Sequence, residues 1–232
     1  VKLIFKQNKV LLTKIGWIKC NEPLINQKFA NPRVSFDGKY WYLSVGIEVK
    51  EPTVQLTNKT IGIDLGIKDL AVVSNGLVFK NINKTTTVKK LKAKLKRFQK
   101  QVSRKYESNK EGNRYLKTAN IVKLEKQIRL LHRRLANIRL NYNHQITTEI
   151  VKTKPSQIVI EDLNIKGMMK NRHLSKAIAE QSLYQFTQLL TYKCELYGIK
   201  LVKANRWFPS SKTCSECGCV KSTLKLSERV YK

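Results

Sequence analysis

An α/β chain built on a mixed sheet is what three features of the sequence predict. The stretch Thr60-Ile61-Gly62-Ile63-Asp64-Leu65-Gly66-Ile67 reads as an apolar strand carrying one carboxylate and ending in a bend, with Leu70-Ala71-Val72-Val73-Ser74 as a second strand behind it. Gln157-Ile158-Val159-Ile160-Glu161-Asp162-Leu163 is another short apolar run that ends in carboxylates, Glu161 lying 97 positions after Asp64. Between them runs a long basic helical pattern, and after them a further helix and strand. Strands, helices, then strand–helix–strand is the order expected of helices packed on a mixed sheet.

Residues 1–58 read as β structure. Val10-Leu11-Leu12 and Ile15-Gly16-Trp17-Ile18 are short strand-like pieces. Arg33-Val34-Ser35-Phe36, the turn Asp37-Gly38 and Tyr40-Trp41-Tyr42-Leu43-Ser44-Val45 predict a hairpin, because β-branched and aromatic residues flank an Asp-Gly pair. With Lys14, Lys19, Lys28, Arg33 and Lys39 scattered over it, the segment suits a partial β-barrel or sandwich, OB-like, that touches nucleic acid; a plain solvated sheet has the same pattern. The chain starts at Val1, already inside a strand-like run, so a missing N-terminus is expected.

Residues 59–204 are expected to form the main domain. Asn75-Gly76 before Leu77-Val78-Phe79 is a type I′ hairpin signal with a third strand behind it. A carboxylate in mid-strand is costly to bury unless it is hydrogen-bonded, paired or bound to a cation. Asp64 therefore either caps the strand end at Gly66 or holds a cation. The second acidic strand end favours the cation: Asp64 and Glu161 side by side would repel, raising one pKa, unless a divalent ion sat between them.

The insertion 84–154 changes character. From Lys84 to Leu140 there are 19 Lys and Arg and only three acids, Glu107, Glu111 and Glu125. Apolar residues step by three and four through Val88, Leu91, Leu95, Phe98 and Val102, and again through Ile121, Leu124, Ile128, Leu131, Leu135, Ile138 and Tyr142. That is the seam of an antiparallel helical hairpin, with its turn at Ser108–Asn113. Like charges four apart on a helix cost stability. Lys90, Lys94, Arg97, Lys100, Arg104, Lys105, Arg133, Arg134 and Arg139 are therefore read as a phosphate-binding surface rather than a solvated face.

A basic loop, Asn164 to His173, precedes one predicted helix over about Ser175–Tyr197 and a strand at Ile199–Lys203. Cys194 lies on the apolar stripe of that helix with Leu183, Phe186, Leu190 and Tyr197 and reads as core, as does Cys20. In the last segment, 205–232, Cys214-Ser215-Glu216-Cys217-Gly218 is a C-x-x-C knuckle closed by glycine. Two thiolates are half of a tetrahedral zinc site, and His132, His144 and His173 lack zinc-ligand spacing. Cys214 and Cys217 alone should hold Zn²⁺ weakly or not at all, leaving the tail from about Arg206 poorly ordered.

Composition restricts the partners. The 232 residues carry 46 Lys and Arg against 16 Asp and Glu, a net charge of +30, so a polyanion is the expected partner. No run approaches the ~18 apolar residues of a membrane span, and no signal peptide is visible. Five cysteines without secretory context argue against a disulfide framework, and a cytoplasmic, nucleoid-associated location is expected. Sugar-kinase and actin-like ATPases also begin with a Gly-x-Asp-Leu-Gly hairpin, but need later glycine-rich phosphate loops that a chain with 10 Gly does not show. A ribonuclease-H-like fold, in which an Asp on the first strand and an acid on a later parallel strand hold Mg²⁺, fits better.

Three blocks together resemble the TnpB/OrfB proteins of insertion sequences, RuvC-like RNA-guided nucleases related to the type V CRISPR effectors. They are Gly62-Ile63-Asp64-Leu65-Gly66, Ile158-Val159-Ile160-Glu161-Asp162-Leu163, and Phe208-Pro209-Ser210-Ser211-Lys212-Thr213-Cys214-Ser215-Glu216-Cys217-Gly218. The resemblance implies a RuvC-like nuclease domain in which Asp64 and Glu161 are two of three Mg²⁺- or Mn²⁺-binding catalytic acids. It also implies a wedge-type domain at 1–58 that grips guide RNA, half a zinc ribbon at Cys214 and Cys217, and base pairing of RNA to target DNA as the source of specificity. The family's third acid and second C-x-x-C belong just beyond Lys232, and its usual Arg-x-Asp-x-x-His is here Arg139-Leu140-Asn141-Tyr142-Asn143-His144. The chain is thus expected to be truncated at both ends. It is a metal-dependent DNA endonuclease by ancestry, inactive alone, or else a nuclease-dead RNA- or DNA-binding remnant that regulates its own element. Asp162, next to Glu161 on a strand, should point to the opposite face, and Asp69 should sit on the hairpin surface.

Overall fold

A computed structural model describes residues 3–22, 28–50, 52–206, 212–214 and 217–221. The strands β1 (Ile4–Lys6), β2 (Lys9–Leu12) and β3 (Gly16–Lys19) make one antiparallel sheet, and β4 (Phe29–Phe36) and β5 (Trp41–Ile47) make another. Then follow β6 (Thr57–Leu65), β7 (Asp69–Val73), β8 (Val78–Lys80), α1 (Thr86–Ser108), β9 (Lys110–Glu111), β10 (Arg114–Tyr115) and α2 (Ala119–Lys152). The last elements are β11 (Pro155–Glu161), α3 (Ile165–Met168), α4 (Ser175–Gln181), α5 (Leu183–Tyr197) and β12 (Lys200–Ala204). Two compact units divide the chain: residues 1–52 with 86–138, and residues 53–85 with 139–232.

In the first unit the β4–β5 hairpin forms as expected, with Phe36 opposite Trp41, Ser35 opposite Tyr42 and Val34 opposite Leu43. Asp37 shapes its turn by accepting hydrogen bonds from the backbone of Lys39 (2.9 Å) and Tyr40 (2.8 Å), while Gly38 takes φ +93°. The described residues of the segment show two sheets, β1–β2–β3 and β4–β5. One face of β4–β5 stays open: Val34, Phe36 and Trp41 are 52, 51 and 72% exposed. The helical hairpin is made by α1 and the first part of α2, joined by a tip with the small β9–β10 ladder. Its apolar seam is covered in part, Val88, Leu91, Ile121, Leu131 and Leu135 being buried, and Tyr106 donates its hydroxyl to Glu125 across the two helices (2.7 Å).

The second unit is a five-stranded mixed sheet in the order β12-β11-β6-β7-β8. β6, β7 and β8 are an antiparallel meander; β11 runs parallel to β6, and β12 parallel to β11. Alternation along the strands sends Ile61, Ile63 and Leu65 of β6 and Ile158 and Ile160 of β11 to one face. There they are buried with Ile146 and Ile150 of α2 and Leu183, Phe186 and Leu190 of α5. Each such side chain stabilises the fold by about 1.5–3 kcal/mol, so this single cluster holds the sheet against its helices. Gly62, Asp64, Val159 and Glu161 are thereby left for the other face.

Two local expectations need correction. The Asn75-Gly76 turn is not type I′, because only Gly76 has a positive φ (+91°); Gly76 N–H bonds Val73 O (2.9 Å) and Val73 N–H bonds Leu77 O (2.9 Å). That is the three-residue loop with glycine in the left-handed position, which needs one positive φ rather than two. The single helix predicted over 175–197 is broken at Ser182, which sits at φ +56°. Gln181 and Leu183 are 3 and 1% exposed, and on one continuous helix they would lie about 200° apart. The break lets both face inward. Below it, Lys193 is 7% exposed and staples α5 to α2 by donating to His144 O (2.8 Å), Thr147 Oγ1 (2.7 Å) and Thr148 Oγ1 (2.7 Å).

Candidate metal-binding and nucleic-acid-binding sites

The parallel register of β6 and β11 pairs Val159 with Gly62 and Ile160 with Ile63. One step further along both strands lie Asp64 and Glu161. Residues separated by 97 positions are thus neighbours at the same end of the sheet, on the face opposite the buried isoleucines. Both line a cleft of about 360 Å³ whose remaining wall includes Gly62, Ser74, Val159 and Ala204. Ala204 is the β12 partner of Glu161, so the smallest side chain after glycine stands beside the acid and leaves it room. Ser74 closes the other side by donating its backbone N–H to Gly62 O (2.9 Å) and accepting from Gly62 N–H at its Oγ (2.9 Å).

Partial burial, and then the neighbouring Asp64 charge, push the Glu161 carboxyl above its ordinary value. Two oxygen ligands of like charge held on rigid strands suit a hard divalent cation better than they suit each other. The spare acids are engaged elsewhere. Asp162 accepts from Arg206 Nη2 at 2.6 Å, while Arg206 Nε also bonds Asp162 O at 3.0 Å. Asp69 is half-buried rather than on the open surface, 3.4 Å from Lys80 Nζ. Among the described residues no group of three or more His, Cys, Asp and Glu side chains converges on a metal-sized site.

Of the predicted half knuckle, Cys214 and Cys217 to Cys219 are among the described residues. Cys214 N–H bonds Cys219 O (2.9 Å), Gly218 N–H bonds Cys214 O (3.1 Å), and Gly218 takes φ +72°. Cys217 and Cys219 are exposed, and none of the five cysteines is in a disulfide. Trp207–Ser211, Ser215, Glu216 and the tail from Ser222 lie outside the described residues, so the expected disorder from about Arg206 and the Phe208–Ser211 block fall outside them too. Cys194 is buried as expected, and burial pushes its thiol up to about 11.

On the hairpin, Lys90, Lys94, Arg97, Lys100, Arg104 and Arg134 are exposed and Lys105 is half-buried. Lys94 and Arg97 both lie over the Phe98 ring, at 5.5 and 5.7 Å. A shallow groove of about 580 Å³ collects Arg104 and Lys105 with Lys123 and the amides of Gln101, Asn120 and Gln127. Lys123 and these amides carry no helical-repeat signal of their own, which is why sequence reasoning did not single them out. Two predicted phosphate-binding side chains are already engaged. Arg133 is ion-paired to Asp37 and donates to Tyr42 Oη (3.2 Å). Arg139 is half-buried and donates its Nε to Asn83 Oδ1 (2.9 Å). Asp37 is held well below the usual carboxylate range: burial works against its charge, but Tyr40, Arg133, Lys39 and Tyr42 outweigh it with hydrogen bonds.

Comparison with known proteins gives the family. Residues 43–172 match the OrfB_IS605 family, described as a probable transposase, and residues 184–232 match a Cas12f1-like TNB domain. A Streptomyces pristinaespiralis protein assigned provisionally as an RNA-guided DNA endonuclease is 32% identical over 82% of this chain and 44% of its own. InsQ of Escherichia coli K12, with the same provisional assignment, is 29% identical over the whole of this chain and 58% of its own. A CRISPR-associated endodeoxyribonuclease Cas12f1 from Sulfoacidibacillus thermotolerans is 30% identical over 83% of this chain and 45% of its own. The chain spans about half the length of these relatives. A cryo-EM structure of a CRISPR-Cas12f ternary complex superposes with TM-score 0.52 at 20% identity, covering 80% of this chain and 36% of that one, a likeness of fold. No helix among the described residues is long and apolar enough to cross a membrane.

Proposed function

The chain belongs to the OrfB_IS605 family of probable transposases, and from that premise we propose that it is the nuclease-bearing part of a transposon-encoded, RNA-guided DNA endonuclease. One observation carries the reading: Asp64 and Glu161, far apart in sequence, meet at one end of adjacent parallel strands in an open cleft. The strand order, with an antiparallel meander first and two parallel strands after it, supports a ribonuclease-H-like, RuvC-like domain over 59–204. The β structure of 1–58 would be the wedge-type domain, and 205–232 would begin a zinc ribbon.

In this reading Asp64 and Glu161 hold a divalent cation, Mg²⁺ or Mn²⁺. Their carboxylates are the hard oxygen donors such an ion takes. The ion, when bound, would activate water and neutralise charge on a scissile phosphodiester. The chain's own contribution is placement. Ala204 and Gly62 keep the cleft open to a bulky backbone, and the meander fixes Asp64 against a strand rather than a loop. Arg206 keeps Asp162 occupied beside the site. The exposed cations of α1 and α2 would grip the sugar-phosphate backbone of guide RNA and target DNA.

A second reading has specific support: among the described residues no third carboxylate is free beside the pair. Two-metal hydrolysis needs more negative charge than two carboxylates supply. The 232-residue chain is therefore expected to bind structured RNA and single-stranded DNA but not to cut. The test is cleavage of labelled DNA with Mg²⁺, by this chain and by a chimera that carries the C-terminal part of InsQ in addition. Salt-sensitive binding by both, with cutting by the chimera alone and its loss in Asp64→Ala, is the expected result. A chimera that cuts equally well with Asp64→Ala would overturn the assignment.

A further inference from the structure

The bend that follows Asp64 is held in an unusual way. Three consecutive backbone carbonyls, those of Gly66, Ile67 and Lys68, each accept a hydrogen bond from a side chain of another element. Gln181 Nε2 reaches Gly66 O at 2.9 Å, Asn81 Nδ2 reaches Ile67 O at 2.8 Å, and Lys84 Nζ reaches Lys68 O at 2.9 Å. Carbonyls of a surface bend ordinarily turn to water, and a hairpin this short needs no such help.

The two amide donors are themselves fixed. Gln181 is 3% exposed, and its Oε1 accepts from Asn83 Nδ2 at 3.3 Å. Asn83 also bonds Glu180 O (2.9 Å) and accepts from Arg139 Nε (2.9 Å). Asn81 caps the turn at 82–84 by accepting from Asn83 N–H at 2.8 Å. Burying three amides that serve only one another and a half-buried guanidinium would gain little over apolar packing. Directed at one bend, they fix the backbone two residues from Asp64. The left-handed Ser182 that breaks the α4–α5 helix is what turns Gln181 inward while Leu183 still enters the core.

We propose that Gln181, Asn81 and Lys84 are positioning residues that hold the Gly66–Lys68 bend and through it set the Asp64 carboxylate against Glu161. The proposal rests on the reading of Asp64 and Glu161 as a divalent-cation site. Outer-shell groups that orient a ligand are typically worth 10–100-fold in metal affinity.

The experiment measures Mn²⁺ binding to the 232-residue chain by the electron paramagnetic resonance signal of free Mn²⁺. Amide hydrogen exchange of 65–70 and the thermal midpoint are recorded for the same samples. Gln181→Leu should weaken Mn²⁺ binding by about tenfold or more and speed exchange at Gly66. Lys84→Met, at an exposed side chain that cannot threaten folding, should shift both in the same direction by less. Lys193→Met is the control: it disturbs a buried polar cluster of the same unit away from the bend, so it should lower the midpoint without a tenfold change in affinity. If Gln181→Leu does not fold, Lys84→Met decides alone. The proposal is overturned if folded Gln181→Leu binds Mn²⁺ like the unmutated chain or no worse than Lys193→Met, or if Lys84→Met leaves both affinity and exchange untouched. Asp64→Asn separates the two levels. Unchanged binding in that variant would sink the metal site itself, whereas loss of binding there with normal Gln181→Leu would sink the positioning role only.

Discussion

The acidic end of the five-stranded sheet and the basic helical hairpin both gather like charges, and they do so in opposite ways. Asp64 and Glu161 are two charges at one point, placed by a strand register and braced by buried amides. The hairpin spreads its cations over two exposed helices, with ion pairs that include Lys117–Glu125 and Arg133–Asp37. Repulsion at a point is relieved by a point charge of opposite sign, a divalent cation. Repulsion along a line is relieved by a line of phosphates. A single substitution should therefore matter far more in the first region than in the second.

The largest expected effect is at the point. Asp64→Asn removes one of the two proposed ligands and should abolish measurable Mn²⁺ binding, while leaving nucleic-acid binding unchanged in a filter-binding assay. The hairpin should respond gradually. Replacing Lys90, Lys94, Arg97 and Lys100 together by Gln should lower the slope of log affinity against log salt by roughly 0.7–0.9 for each phosphate no longer neutralised. Any one of the four alone should change affinity only slightly. A single hairpin substitution that abolished binding would show a built pocket there and would end the contrast.

Arg133 breaks ranks with its neighbours, and a smaller effect is expected of it. Because it is committed to Asp37, Arg133→Gln should lower the thermal midpoint rather than the salt slope. The Asp37 carboxyl is depressed in the folded state, so its stabilisation is present above the ordinary value of 3.8 and is lost as pH falls below it. Asp37→Asn should accordingly be less stable than the unmutated chain at neutral pH. The gap should close in melts taken at progressively lower pH beneath 3.8.

The smallest effect is expected from zinc removal. With Cys214 and Cys217 as half a site, a chelator should leave the thermal midpoint of the sheet unchanged. One tightly held zinc per chain in metal analysis would contradict this.

What could be seen in the sequence divides along the same line. Strand alternation around Ile61–Leu65 and Ile158–Glu161 is a period-two signal, and residue order alone puts both acids on the face away from the core. The hairpin seam is a period of three and four, legible over about 50 residues because nothing but the turn interrupts it. The partners of single side chains were not legible. Nothing local to Gln181 tells that it bonds Gly66 O, since that hydrogen bond crosses 115 positions and depends on a left-handed serine. Arg133 and Arg139 looked like their exposed neighbours for the same reason: a helical repeat shows which face a residue is on, not which acid or amide another element brings to it. Turn type failed on the chemistry of Asn75, which does not take the positive φ that its pairing with Gly76 suggested.

The most direct test of the acidic end is anomalous diffraction from crystals of the chain soaked in Mn²⁺. The expected result is one Mn²⁺ ion bound by Asp64 and Glu161, absent from crystals of Asp64→Asn. No ion at that cleft, or one that persists without the Asp64 carboxylate, would contradict it.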